Sequence, residues 1–137
     1  MPPYIHHTVV RMYDTDAAGI IYFASQFRFA HDAFESVMAL SGKGFRDLIE
    51  NESYMFVIVH AESDFKAPMR LGDKIAVKTI VSHIGHTSFS MAYEITNQDG
   101  VVTGTTKTIH VALDKATWKK RELPDDVKAF LRKFENP

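Results

Sequence analysis

The run Tyr13-Asp14-Thr15-Asp16-Ala17-Ala18-Gly19-Ile20-Ile21-Tyr22-Phe23 concentrates the chemistry of this sequence. Two carboxylates stand just after a strand-like segment and just ahead of a helix-like one. The first N–H groups of a helix lack intrahelical partners, and the aligned peptide dipoles add partial positive charge there. Such an end can polarise an acyl carbonyl and hold the oxyanion that forms on attack. A carboxylate beside it can attack directly or activate water, and both roles need the same group in the same place. Gly19 lets the chain pass close to a ligand with no side chain in the way. Taken alone, Asp-x-Asp in a loop reads as a turn cap, so its neighbours decide its meaning.

The elements that must position this run follow from periodicity. His7 to Tyr13 is rich in β-branched and aromatic residues and reads as a first strand. Phe27, Ala30, Phe34, Val37 and Met38 recur at helix spacing, which predicts a long helix over Ser25–Leu40 with Ser25 as N-cap and Gly42 as terminator. Gly44 to Asn51 reads as one more short helix. Four strand-like runs come next, Tyr54–Phe65, Lys74–Ile84, Thr87–Thr96 and Val101–Leu113, read as an antiparallel meander. Asn97-Gln98-Asp99-Gly100 is a hairpin signal between the last two. Pro124 to Phe134 reads as a short closing helix with Pro124 in its first turn. A sheet of five strands with one long apolar helix buries both by curling round the helix. The expectation is therefore an α+β, hotdog-type fold of one domain over 1–137. Edge strands left bare by a single helix would be protected by pairing with a second copy.

Composition narrows the function. Lys and Arg total 16 against 17 Asp and Glu, without the basic excess of a nucleic-acid binder. With no cysteine, thiolate nucleophiles and cysteine-held metals are excluded. The start, Met1 to His7, lacks a charged segment followed by an apolar one, and no apolar run reaches the ~20 residues of a membrane span. The reading is a cytoplasmic protein with no membrane insertion.

The run from Tyr13 to Phe23 resembles the signature of the 4-hydroxybenzoyl-CoA thioesterase family: aspartate, any residue, aspartate, two small residues, glycine, two aliphatics and an aromatic. Asp64-Phe65-Lys66-Ala67-Pro68, then Leu71-Gly72-Asp73, is similar to that family's second-strand exit. The resemblance implies an acyl-CoA thioesterase with Asp16 as the catalytic carboxylate and the backbone N–H near Phe23 as oxyanion donor. Gly19 and Tyr22 would lie against the substrate. It also implies a site across a dimer interface, tetramers as a common assembly, and no cofactor or metal. Where the branch associated with the Tol-Pal system has a histidine, this chain has Phe23. By contrast His31-Asp32-Ala33-Phe34-Glu35-Ser36 and Val59-His60-Ala61 are similar to the 1,4-dihydroxy-2-naphthoyl-CoA thioesterase branch.

Several further residues follow from this reading. His31 is expected on the buried helix face, at a position where the hydroxybenzoyl-CoA branch carries a carboxylate for the ring hydroxyl. Glu35, one turn on, is a candidate for the alternative mechanism in which a helix glutamate attacks. His60 and Asp64 share one side of their strand by parity, and His60 could line the acyl pocket. Thr87 and Ser88 resemble the segment approaching the thioester and pantetheine. Lys119, Lys120, Arg121 and Arg70 are the candidates for CoA phosphates. The competing readings are an aliphatic acyl-CoA or acyl-carrier-protein thioesterase, a hydratase, and a non-catalytic acyl-binding module. The hydratase pattern needs a histidine where this chain has Ile21.

Overall fold

The computed structural model describes residues 3–136; the first two residues of the opening segment and Pro137 lie outside it. Five strands make one antiparallel sheet in the order β1-β3-β4-β5-β2. They are β1 (Tyr4–Val9), β2 (Tyr54–Phe65), β3 (Lys74–Ile84), β4 (Ser88–Thr96) and β5 (Val102–Asp114). The helices are α1 (Ser25–Ala39), α2 (Phe45–Asn51) and α3 (Asp125–Arg132). The order of elements is that of the α+β hotdog arrangement, a sheet wrapped round α1.

The core forms where two periodicities meet. Along β3, Ile75, Val77, Thr79 and Val81 are buried while Lys74, Lys78 and Ser82 are exposed, the period of two that puts one face inward. Along α1, Gln26, Phe29, Ala30, Ala33, Phe34, Val37 and Met38 are buried at three- and four-residue spacing. Phe34 packs its ring on His110 at 4.2 Å and on Phe45 at 5.3 Å between centroids. Phe29 and Phe34 are at most 1% exposed, each contributing on the order of 2–3 kcal/mol by burial. The Asn97–Gly100 hairpin forms as its residues dictate: Gly100 takes φ of 78° and donates its N–H to the Asn97 carbonyl at 3.0 Å.

Three expectations are corrected. The first strand begins at Tyr4 and ends at Val9, because the chain from Met12 to Asp14 is a 3₁₀ turn. The Asp14 carboxylate accepts the Arg11 N–H at 2.8 Å and closes that turn. The meander comprises β3, β4 and β5 only, since β2 pairs with β5 at the far edge. Residues 66–73 carry the chain back across the sheet, past the loop that follows β1: Ile21 donates its N–H to the Met69 carbonyl at 2.9 Å, and Ile20 bridges Arg70. Ser25 does not cap α1. It is the first helical residue, and its hydroxyl donates to the Asp14 carbonyl at 2.9 Å. The N-cap is Ala24, which offers no side-chain acceptor.

Candidate active site

The two aspartates of the signature separate completely in environment. Asp14 is 1% exposed and knits the loop to α1. Its carboxylate receives the Arg28 guanidinium, and its carbonyl accepts the Tyr22 N–H at 2.8 Å. Arg28 also pairs with Asp32 at 2.8 Å and lies over the Phe29 ring, 4.9 Å from its centroid. Asp16 instead stands exposed at the tip. Its carbonyl accepts the Gly19 N–H at 3.0 Å, and its Oδ1 accepts the Ala18 N–H at 2.9 Å. Gly19 has φ of 79°, the left-handed conformation that reverses the chain here and that a side chain would strain. The second carboxylate oxygen of Asp16 makes no hydrogen bond among the described residues. A carboxylate held by one oxygen and open at the other can attack or take a proton.

Beside it begins α1, without a cap. The N–H groups of Phe23 and Ala24 find no acceptor among the described residues, so two donors at the positive end of the helix dipole remain open. Phe23 borders a cleft of about 400 Å³ lined by Ile20, Ile21, Phe65, Pro68 and Met69. The wall is apolar except for Lys66 at its rim. Tyr22 and Phe23 are exposed, their rings 4.7 Å apart, and Arg70 is exposed at the bridge to Ile20. The structure thus gathers Asp16, Gly19, Tyr22, Phe23 and Arg70 around one end of α1. A larger hollow of about 540 Å³ lies on the outer face of the sheet among Glu62, Lys78, Glu94 and Lys107, away from this helix end.

The remaining sequence candidates sit elsewhere in the chain. His31 is not on the buried face of α1: its side chain is 47% exposed and pairs with Glu35 at 3.3 Å. The buried stripe runs through residues 26, 30, 33 and 37, and position 31 falls outside it. His60 is on the outer face of the sheet, paired with Glu62 at 3.1 Å. Thr87 lies in the β3–β4 turn and Ser88 opens β4. That turn adjoins the basic segment: the Ala112 N–H donates to the Thr87 carbonyl, and the Arg121 N–H to the Ala112 carbonyl. β3 spans 11 residues, roughly 33 Å, and β1 delivers the Asp16 loop to its other end. One chain therefore does not bring Thr87, Ser88, Lys119, Lys120 or Arg121 to Asp16. Among the described residues, no group of three or more His, Asp and Glu side chains is placed to hold a metal.

Sequence reading passed over three polar residues, two of them in the interior. Gln26 and His110 are at most 1% exposed, and Arg28 secures Asp14. His110 Nε2 lies 2.8 Å from Thr108 Oγ1, and its ring stacks between Phe34 and Phe89. Burial, with His31 nearby, pushes its pKa down to about 3. The alternation Thr106, Thr108, His110, Ala112 along β5 was the signal that would have turned His110 inward.

The comparisons agree with this fold. Residues 10–131 match the model of the thioesterase-like superfamily. A 1,4-dihydroxy-2-naphthoyl-CoA hydrolase of Nostoc punctiforme is 38% identical over 128 residues, covering 93% of this chain and 86% of that protein. One from Synechococcus elongatus is 32% identical over 133 residues, covering 96% and 97%. Among solved structures, a 1,4-dihydroxy-2-naphthoyl-CoA thioesterase from Synechocystis superposes with a TM-score of 0.90 at 26% identity, covering 98% of each chain. A gentisyl-coenzyme A thioesterase gives 0.82 at 25%, covering 94% and 99%. With a family model matching most of its length and relatives of 30% identity or more covering nearly all of it, the chain is a thioester hydrolase of the hotdog fold and belongs to the thioesterase-like superfamily.

Proposed function

We propose that the protein hydrolyses an aromatic acyl-CoA thioester, 1,4-dihydroxy-2-naphthoyl-CoA, with Asp16 as the catalytic carboxylate and the Phe23 N–H as oxyanion donor. The observation that carries this is the free oxygen of Asp16 in the loop that leads into two unsatisfied amides and an apolar cleft. The names of the relatives support the choice of acyl group. The thioester carbonyl would point its oxygen at the Phe23 amide, and the helix dipole would stabilise the charge that develops there. Asp16 then acts in one of two ways. It adds to the carbonyl carbon and expels the CoA thiolate, leaving an acyl–aspartyl anhydride that water cleaves. Alternatively it takes the proton of a water that adds to the same carbon. Each route ends in the free acid and CoA, with water as the only co-reactant.

The proposal extends to the assembly. β2 is an edge strand whose outer side is unpaired among the described residues, and Ile58, Val59 and Phe65 on it are 46%, 58% and 52% exposed. A second copy pairing antiparallel along β2 would set the Tyr54 end of one protomer against the Phe65 end of the other. Thr87, Ser88 and the Lys119–Arg121 segment of one copy would then face Asp16 of the other, where a CoA chain needs hydroxyl and cationic partners. In this reading the 137 residues act as one domain of a cytoplasmic homo-oligomer. His31 would read a ring hydroxyl. No helix among the described residues is long and apolar enough to cross a membrane.

The decisive experiment compares kcat/KM for 1,4-dihydroxy-2-naphthoyl-CoA with that for plain aromatic and aliphatic acyl-CoAs. The hydroxylated aromatic substrate is expected to lead. A preference for aliphatic thioesters would overturn the substrate, and no turnover with any of them would return the protein to an acyl-binding role.

A further inference from the structure

Gln26 occupies the first turn of α1 and is 0% exposed. Its Nε2 donates to the Asp64 carbonyl at 3.0 Å, the Thr105 carbonyl at 3.2 Å and the Thr106 hydroxyl at 3.4 Å. The amide therefore crosses from the helix to both β2 and β5, at the point where β2 runs out into the cleft-lining segment Lys66–Met69. Its own backbone N–H reaches the Phe23 carbonyl at 3.4 Å. Its Oε1 is buried and has no partner among the described residues, an arrangement that costs free energy. Opposite it, β5 carries glycine: a Cβ on Gly104 would stand 2.4 Å from Gln26 Oε1, closer than atoms can approach. An amide with an orphaned oxygen, seated on a glycine that leaves it room, is a poor way to fill a core. It is a good way to fix one turn of helix against two strands.

We infer that Gln26 is a positioning residue: it sets the first turn of α1, and with it the Phe23 amide, in register with the end of β2 that forms the cleft. The inference rests on Phe23 being the oxyanion donor. An oxyanion donor acts only within a few tenths of an ångström of its working distance, so releasing this strut should slow chemistry while leaving substrate capture intact.

The test uses the full chain and 1,4-dihydroxy-2-naphthoyl-CoA. Gln26→Met keeps length and volume and removes the donors. Its kcat is expected to fall at least tenfold with KM within twofold, measured well below the melting transition and with the shape of the pH profile unchanged. Gly104→Ala should lower kcat similarly by displacing Gln26. In the Gln26→Ala background, where there is room for the methyl, Gly104→Ala should change kcat less than twofold. Full kcat in Gln26→Met, or equal damage from Gly104→Ala in both backgrounds, overturns the inference. Should Gln26→Met not fold, the Gly104→Ala pair alone decides. Asp16→Asn measured alongside separates the two levels. If it is inactive while Gln26→Met is fully active, only the positioning role fails. If Asp16→Asn is fully active, the reading of the site itself fails.

Discussion

At the scale of the residue, the two signature aspartates divide stability from chemistry. Asp14 is buried against Arg28, and Asp16 is exposed with one oxygen free. Removing the Asp14 charge leaves the guanidinium paired only with the exposed Asp32 among the described residues and loosens the Arg11 and Arg28 contacts together. A fully buried pair broken this way costs about 3–5 kcal/mol, and the exposure of Arg28, 42%, reduces that to about 2 kcal/mol. Asp14→Asn is thus expected to lower Tm clearly, by thermal denaturation, where a simple turn residue would be silent. Asp16→Asn should melt with wild type and lose ~10²-fold or more in kcat, the usual loss for an acid–base group. His31 gives a subtler readout. Its side chain pairs with Glu35 and lies 5.8 Å from the Phe34 ring, so His31→Leu should fold normally. If it reads a ring hydroxyl, that variant loses most of the preference for hydroxylated over plain aromatic acyl-CoA while still hydrolysing the plain one. Equal preference in both proteins makes it a surface histidine.

At the scale of the element, β2 carries the argument. It is long, sits at an edge, and exposes Ile58, Val59 and Phe65, features that isolated edges normally avoid. Val59 is the bulged residue, skipped between Ile58 and His60 in the register with β5, so a change there spares the intramolecular ladder. Val59→Lys is expected to give a folded monomer by light scattering, with activity lost because each site lacks its second half. A monomer with full activity would show that one chain is sufficient. The limits of β2 and β3 were readable from sequence because β-branched and aromatic runs end at Pro68, Gly72 and Gly85. The sheet order was not, because nothing in a strand's own residues says which neighbour it takes across an eight-residue crossing. β1 was misplaced by a few residues for a related reason: Arg11-Met12-Tyr13 has strand composition, but the Asp14 carboxylate captures the Arg11 N–H and coils the chain. The signature loop was legible through residue types alone, whereas the strut at Gln26 and the outward turn of His31 depend on where the helix stripe falls, which a one-residue phase error reverses.

At the scale of the whole molecule, the core holds a buried histidine, and this makes stability depend on pH in a defined direction. His110 is 1% exposed, stacked between Phe34 and Phe89, and its Nε2 is beside the Thr108 hydroxyl, which in turn lies 3.1 Å from the Tyr93 hydroxyl. Burial holds its folded pKa near 3, against an ordinary value of 6.5. Below about pH 6.5 the unfolded chain therefore binds a proton that the folded chain refuses. Stability falls by about 1.4 kcal/mol for each further pH unit until the folded pKa is reached. Above pH 6.5 both states hold a neutral ring, and this contribution to the slope vanishes. Surface carboxylates paired with lysines, such as Asp126 with Lys43 and Glu122 with Lys128, have folded values lowered by those partners, so they too lose stability in acid, but only as pH nears the ordinary carboxylate range. The window between pH 6.5 and 5 therefore isolates the histidine. His110→Phe keeps an aromatic ring in the stack and leaves Thr108 bonded to Tyr93. Urea unfolding at pH 7 and pH 5 should show wild type losing about 2 kcal/mol between them, with the variant losing much less. An equal loss in both proteins would mean that the ring is protonated within the fold, and that the core around it admits water.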